Sequence, residues 1–226
     1  MVQLPEAIFF DWDGTLVDSY EFLKGAHDHV RQTLGLPPFQ GDEFRNYFGH
    51  PREKLYTELY GDHIESAKTL FGDYVVKNHV AQLKPMPGAD QMLKICEGLG
   101  FTLGVISNKK AEYLHLEIKS LGWEGRFVTV MGAGDAAQDK PAPDPLLKAV
   151  ASCGGIPMER VWYVGDTDVD LKCAQSAGCA SIFIAHHDKS EEWIKLYKPL
   201  LIFKDCRGLG DFLLQTTQNK LKTKDV

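Results

Sequence analysis

Residues 9–19 read FFDWDGTLVDS. The apolar run Ile8-Phe9-Phe10 stops at Asp11, and a second acid, Asp13, follows one residue later. Carboxylates that close repel each other, and each loses hydration if the strand end is partly buried. A chain that keeps both needs a compensating cation or a use for the repulsion. Polar groups close three other apolar runs. Ser107-Asn108 end the run that starts at Phe101, and Lys140-Pro141 follow the run 127–131 after a loop. The run 161–164 passes into Gly165-Asp166-Thr167-Asp168-Val169-Asp170. Two acids, a hydroxyl, a lysine and an acid cluster together suit one task, the handling of a phosphate with a divalent metal. Several carboxylates in one cleft are tolerable when a hard cation sits among them, and oxygen-only ligands point to Mg²⁺. Ser107 and backbone N–H groups would donate to phosphate oxygens, and Lys140 would balance their charge. One carboxylate can then attack phosphorus, while the other protonates the leaving oxygen and later deprotonates water.

Those groups need strands to carry them. The runs Ala7–Phe10, Phe101–Ser107, Phe127–Met131, Val161–Val164, Ala180–Ile184 and Leu200–Phe203 are short and rich in β-branched or aromatic residues, as buried parallel strands are. Between them, apolar residues recur every three or four positions, as in Met92, Ile95, Cys96 and Leu99, or Leu114, Ile118 and Leu121. Strand alternating with helix predicts an α/β fold, a doubly wound, Rossmann-like parallel sheet. In such sheets ligands bind beyond the carboxyl ends of the strands, so the groups above should meet at one edge. The stretch after Asp18 breaks the alternation. It reads as helices over Tyr20–Leu34, Asp42–Phe48, Arg52–Tyr60 and Ile64–Gln82, punctuated by GLPPF at 35–39 and KPMPG at 84–88. The expected organisation is an α/β core over 1–17 and 84–226, with an all-helical cap over 18–83 inserted after the first strand.

The bulk numbers narrow the partners. A chain of 226 residues can build one good core plus a small second module. Its net charge of −6, with no basic stripe before the short NKLKTKDV end, disfavours nucleic-acid binding through a phosphate-neutralising face. The five cysteines are odd in number, scattered and without a CxxC pair, so reduced thiols in a cytoplasmic protein are expected rather than disulfides or a zinc site. There is no signal-peptide pattern at the N-terminus and no apolar run approaching membrane-spanning length. Polar residues from about Gln218 to Val226 are expected to fray.

At this point the chain resembles a known family. DWDGT is similar to the DxDGT signature of the haloacid dehalogenase-like (HAD) superfamily. GVISN with Ser107 resembles its second motif, Lys140 in KPAPDP its third, and GDTDVD its fourth, in the same order. The helical block after the first motif resembles the C1 cap of the phosphoglycolate-phosphatase type. The resemblance implies that Asp11 is the nucleophile and Asp13 the general acid/base. It implies that Mg²⁺ is held by the Asp11 and Asp166 side chains and the Asp13 carbonyl, with Asp170 orienting the metal shell or Lys140. Ser107, Asn108 and Lys140 would hold the phosphoryl group. Asp13 argues against the dehalogenases, which lack that second acid. Trp12 stands where Leu is commoner, and its side chain is expected to point away from the phosphate.

Other residues carry weaker expectations. Arg52 in FGHPREKL is read as a cap contact to a second anionic group, against a surface arginine, with His50 beside it. Asp168 is read as a first-turn helix acid. The AHHD stretch at 185–188 is read as a loop with solvated histidines rather than a metal site, and Trp123, Trp162 and Trp193 as packing residues. The expected activity is Mg²⁺-dependent hydrolysis of a small phosphorylated metabolite through an aspartyl-phosphate. Phosphoglycolate, a sugar phosphate, a nucleotide monophosphate and a cofactor precursor all remain open as substrates. The alternatives are a sugar phosphomutase of the same fold, a phosphonate hydrolase using a lysine such as Lys24, and a phospho-receiver module, which lacks a cap. Monomer and homodimer are both compatible with the sequence.

Overall fold

In the computed structural model, residues 2–48 and 50–224 are described, leaving aside the side chains of 79–82 and 220–224. The alternating runs become a six-stranded parallel sheet. Its strands are β1 (Ala7–Phe10), β4 (Thr102–Lys110), β5 (Thr129–Ala133), β6 (Val161–Gly165), β7 (Ala180–Ile184) and β8 (Leu201–Phe203). They run in the order β5-β4-β1-β6-β7-β8. The pairing Phe10↔Val105 on one side of β1 and Phe10↔Val164 on the other brings the ends of β1 and β6 level, beside the point in β4 after which its register against β5 shifts. The chain builds outward from β1 in one direction and then returns to build in the other. That reversal leaves a crevice at the carboxyl end of β1.

The period-two alternation of a strand buried on both faces explains the core. Ile8 and Phe10 point into one hydrophobic cluster, with Leu103, Val105, Trp162 and Val164. Ala7 and Phe9 point into the other, with Ile106, Leu146, Val161 and Tyr163. All four β1 residues are fully buried. Helices α4 (Ala89–Gly98), α5 (Ala111–Ser120), α6 (Asp144–Ser152), α7 (Asp168–Ala177), α8 (Ser190–Tyr197) and α9 (Cys206–Lys224) cover the sheet. The helix α9 runs through Gln218 to Lys224, part of the stretch expected to fray; residues 225–226 lie outside the described residues.

Two strands of two residues each escaped the sequence reading. β2 (Val17–Asp18) and β3 (Lys84–Pro85) pair antiparallel, which brings together the two ends of the segment between them. That segment holds α1 (Tyr20–Thr33), a 3₁₀ turn at Glu43–Asn46, α2 (Arg52–Tyr60) and α3 (Ile64–Gln82). It has its own aromatic-rich cluster, including Val30, Phe39, Phe44, Tyr56 and Tyr60. His27 is buried at its centre, 4.6 Å from the Phe71 ring centroid and 5.2 Å from that of Phe44.

Candidate active site

The carboxyl end of β1 delivers Asp11, whose side chain is buried with a backbone N–H bond to the carbonyl of Val164 at 2.8 Å. After Asp11 the chain must turn sharply, and Gly14 makes the turn at φ +88°, a conformation that L side chains rarely adopt. A Cβ there would also collide with the Asp166 carboxylate. Thr15 Oγ1 returns to the site and donates to Asp166 Oδ1 at 2.8 Å, lying 3.5 Å from Asp11 Oδ2. Asp166 follows the end of β6 and is fully buried. Gly165 before it allows α7 to approach closely, since a Cβ at 165 would meet the side chain of Asp170.

Lys140, on the loop after β5, is buried against two carboxylates. Its Nζ donates to Asp11 Oδ1 at 2.5 Å and to Asp170 Oδ1 at 2.7 Å. Burial alone would lower the lysine pKa, but Asp11 and Asp170 outweigh it and hold the ammonium charged. Asp170 is fixed in turn. Its Oδ2 accepts from the Thr167 N–H at 3.1 Å and Oγ1 at 2.8 Å, and its Oδ1 accepts from Tyr163 OH at 3.2 Å. Every Asp170 oxygen is therefore engaged, and its contact is with Lys140. The Asp11 carboxyl lies well above the usual range because it is desolvated, with Lys140 opposing and Asp170 and Asp166 adding to the rise. Asp11, Asp166 and Asp170 thus bring three buried carboxylates within 4.8 Å of one another, with one lysine to balance them. An all-oxygen cluster with surplus negative charge is what a hard divalent cation neutralises.

Asp13 sits in a second network. Its Oδ1 accepts from Lys109 Nζ at 2.7 Å and from Ser19 Oγ at 2.5 Å. Lys109 also donates to both oxygens of Glu117, at 2.9 and 2.7 Å, and Glu117 accepts from Trp12 Nε1 at 2.6 Å. Burial would lower the Lys109 pKa, but Asp13 and Glu117 reverse this and raise it. The Trp12 indole is in the core and does not line the cleft, as expected, yet through Glu117 and Lys109 it reaches Asp13. Neither Lys109 nor Glu117 stood out in the sequence.

Ser107 is buried within β4, just past Ile106 where the register against β5 shifts, and accepts from the Lys109 N–H at 3.0 Å. Asn108 Nδ2 donates to the Lys140 carbonyl at 3.0 Å, so in this structure its amide braces the Lys140 loop. Asp168 is a first-turn residue of α7 paired with Lys172, as expected. Of the AHHD histidines, His186 is an exposed residue, as the sequence implied, whereas His187 is not solvated. His187 is 7% exposed at its side chain and donates to Asp166 Oδ2 at 2.8 Å. His186, 28% exposed at its side chain, donates to the Gly14 carbonyl at 2.8 Å and lies 3.4 Å from Asp166 Oδ2. Burial opposes the charge on Asp166, but these two imidazoles outweigh it and hold its carboxyl low. The sequence cue was present, but only the topology, with β7 beside β6, aims it at Asp166.

The cleft over Asp11 is roofed by the helical segment. Phe22, Phe44, Phe48, Tyr56 and Phe71 line it opposite Asp11, Ser107 and Lys140, around a cavity of about 110 Å³. Arg52 also lines it, at the start of α2, with its guanidinium 5.1 Å from the Tyr56 ring centroid. His50 is in the same wall. Lys24 instead pairs with Asp28 at 2.9 Å and is not among the described lining residues.

Comparison with known proteins shows the family. The profile of the haloacid dehalogenase-like hydrolases matches residues 8–184. The chain belongs to that family. A relative from Aquifex aeolicus, named phosphoglycolate phosphatase, is 32% identical over 172 residues, covering 76% of this chain and 80% of the relative. Another of that name, from Psychrobacter arcticus, is 28% identical and covers 93% of this chain and 96% of its own. A haloacid dehalogenase-like family hydrolase from Streptococcus pneumoniae superposes with a TM-score of 0.82 at 23% identity, over 92% of this chain and 98% of that one. The last likeness is one of fold. Family membership makes this protein an enzyme of the hydrolase class.

Proposed function

We propose that the protein is a phosphatase that hydrolyses a small phosphate monoester through a phosphorylated Asp11. The observation that carries this reading is the Asp11–Lys140 contact at 2.5 Å, on a strand tip ringed by Ser107, Thr15 and Asp166. Asp11 attacks phosphorus; the Asp11 oxygen–phosphorus bond forms and the bond to the leaving oxygen breaks. Asp13 gives that oxygen its proton, then takes one from the water that cleaves the aspartyl-phosphate. Lys140 and Ser107 hold the phosphoryl oxygens, and Asp170 fixes Lys140 for that task. Mg²⁺ fits the oxygen donors and charge balance of the cluster, and Asp11, Asp166 and the Asp13 carbonyl would hold it. When bound, it supplies charge neutralisation at the phosphate.

In the same reading, residues 18–83 act as a cap that excludes water from the first step, with Arg52 contacting a second anionic group of the substrate. A cavity of about 110 Å³ favours a compact substrate such as phosphoglycolate, the compound in the relatives' names. Five free cysteines fit a reducing, cytoplasmic setting, and no helix among the described residues is long and apolar enough to cross a membrane. The test is phosphate release from a panel of small monoesters, by wild type and Asp11→Asn, each with Mg²⁺ and with chelator. Release that needs metal and vanishes in Asp11→Asn supports the reading. A folded protein that releases phosphate from none of them would overturn it.

A further inference from the structure

The two imidazoles behind Asp166 have no part in that mechanism, and they come with the spacing of a ligand set. Asp166 Oδ2 lies 2.8 Å from His187 Nε2 and 3.4 Å from His186 Nε2, and the Gly14 carbonyl is 2.8 Å from His186 Nε2. The three side chains offer one ligand atom each, all within 4.8 Å of one another. Ligands about 2.0–2.1 Å from a transition metal stand roughly 2.8–3.0 Å apart in octahedral and roughly 3.3–3.4 Å apart in tetrahedral arrangement. The Asp166–His187 and Asp166–His186 separations, 2.8 and 3.4 Å, lie at the two ends of that span.

The two oxygens of Asp166 face different partners. Oδ1 takes the Thr15 hydroxyl on the Asp11 side, while Oδ2 takes the histidines. We propose that Asp166, His186 and His187 form a second cation site, for a first-row transition metal such as Zn²⁺, Mn²⁺ or Co²⁺, with the Gly14 carbonyl beside it. Imidazole ligands suit these ions, and two histidines with one carboxylate leave positions open for water or substrate. Mg²⁺ prefers oxygen ligands and has no need of the pair. Loading requires each ring to present an unprotonated Nε2, so its hydrogen resides on Nδ1 or leaves to solvent. Asp166 then serves both sites, one through each oxygen. The inference rests on this geometry and holds whatever the substrate is.

The test is a Co²⁺ titration of the purified protein in millimolar Mg²⁺, read by visible d–d absorption and by calorimetry. Wild type, His186→Asn, His187→Ala and Asp11→Asn are compared, with circular dichroism and thermal unfolding to verify folding. His186 is on the rim, so its variant guards against misfolding at the more buried His187. Wild type and Asp11→Asn should bind one Co²⁺ in the presence of Mg²⁺. Both histidine variants should bind it more than about 100-fold more weakly, beyond the 10–100-fold cost of losing a group that merely supports a ligand. Equal Co²⁺ affinity in wild type and the histidine variants would overturn the proposal. So would Co²⁺ binding that Mg²⁺ abolishes, and in either case the histidines act as hydrogen-bond donors to Asp166. Neither outcome bears on phosphatase activity, which the monoester panel decides separately.

Discussion

Replacing Lys109 with Met probes the buried ion network under Asp13. In the native protein one ammonium serves three carboxylate oxygens, and Glu117 is only 1% exposed. Lys109→Met leaves Glu117 with Trp12 Nε1 as its remaining side-chain partner among the described contacts. Breaking a buried ion pair by removing one member costs about 3–5 kcal/mol, because the other charge stays behind uncompensated. At this chain length each kcal/mol lowers Tm by about 2–4 °C, so the variant should melt roughly 6–20 °C lower. The double variant Lys109→Met/Glu117→Met removes the stranded charge. It strands the Trp12 indole N–H instead, at about 1–3 kcal/mol. The double variant should therefore be about 2 kcal/mol more stable than Lys109→Met alone, and the double-mutant cycle should show a favourable coupling larger than that difference. Urea unfolding of wild type, both single variants and the double variant measures all four corners. Simple additivity, with the double variant the least stable of the set, would refute the argument that Lys109 and Glu117 neutralise each other.

Three further outcomes follow from the site and the helical segment. Asp13→Asn should slow hydrolysis of an alkyl phosphate by about 10²–10⁴-fold, the worth of general acid–base catalysis. It should slow an aryl phosphate with a good leaving group much less, and equal losses on both would exclude the acid role. Gly14→Ala should cost at least about 1–2 kcal/mol for its left-handed backbone, and more for its collision with Asp166, measured by thermal unfolding. His27 is desolvated among aromatic rings, which pushes its pKa down from 6.5 to about 3. The unfolded chain therefore takes up a proton that the folded protein refuses, and stability falls as pH drops through 6.5 toward 3. Between pH 7.5 and 5.5 this one group should cost about 1.4 kcal/mol, and His27→Phe should remove that slope in urea unfolding.

The sheet was legible because a strand buried on both faces has few ways to be written. Ile8-Phe9-Phe10 and Val161–Val164 are short and apolar, and they end where polar groups begin. The helices of the inserted segment were legible to within a residue or two for α1, α2 and α3. The β2–β3 pair was not, because two residues carry no periodicity. Within the site, Asp11, Lys140, Asp166 and Asp170 could be expected together because they follow β1, β5 and, for the last two, β6. Thr15, Tyr163, Glu117 and Lys109 could not, since their contacts reach up to 151 positions along the chain and depend on how helices and strand ends pack. Lys109 reads as one more surface lysine after a strand, and only the fold puts Glu117 of α5 and Trp12 around it. Asn108, which the family resemblance assigns to the phosphoryl group, lines the cleft and also donates to the Lys140 carbonyl, a contact the sequence does not announce.

The central claim is that Asp11 itself carries the phosphoryl group. The most direct test is to mix wild type and Asp11→Asn with a turned-over monoester bearing labelled phosphate, in Mg²⁺, quench in acid within the first turnover, and map the label by peptide mass spectrometry. The account predicts label on the peptide containing Asp11 in wild type and none in Asp11→Asn. Turnover by wild type with no label on that peptide at any quench time, or label persisting in Asp11→Asn, would contradict it.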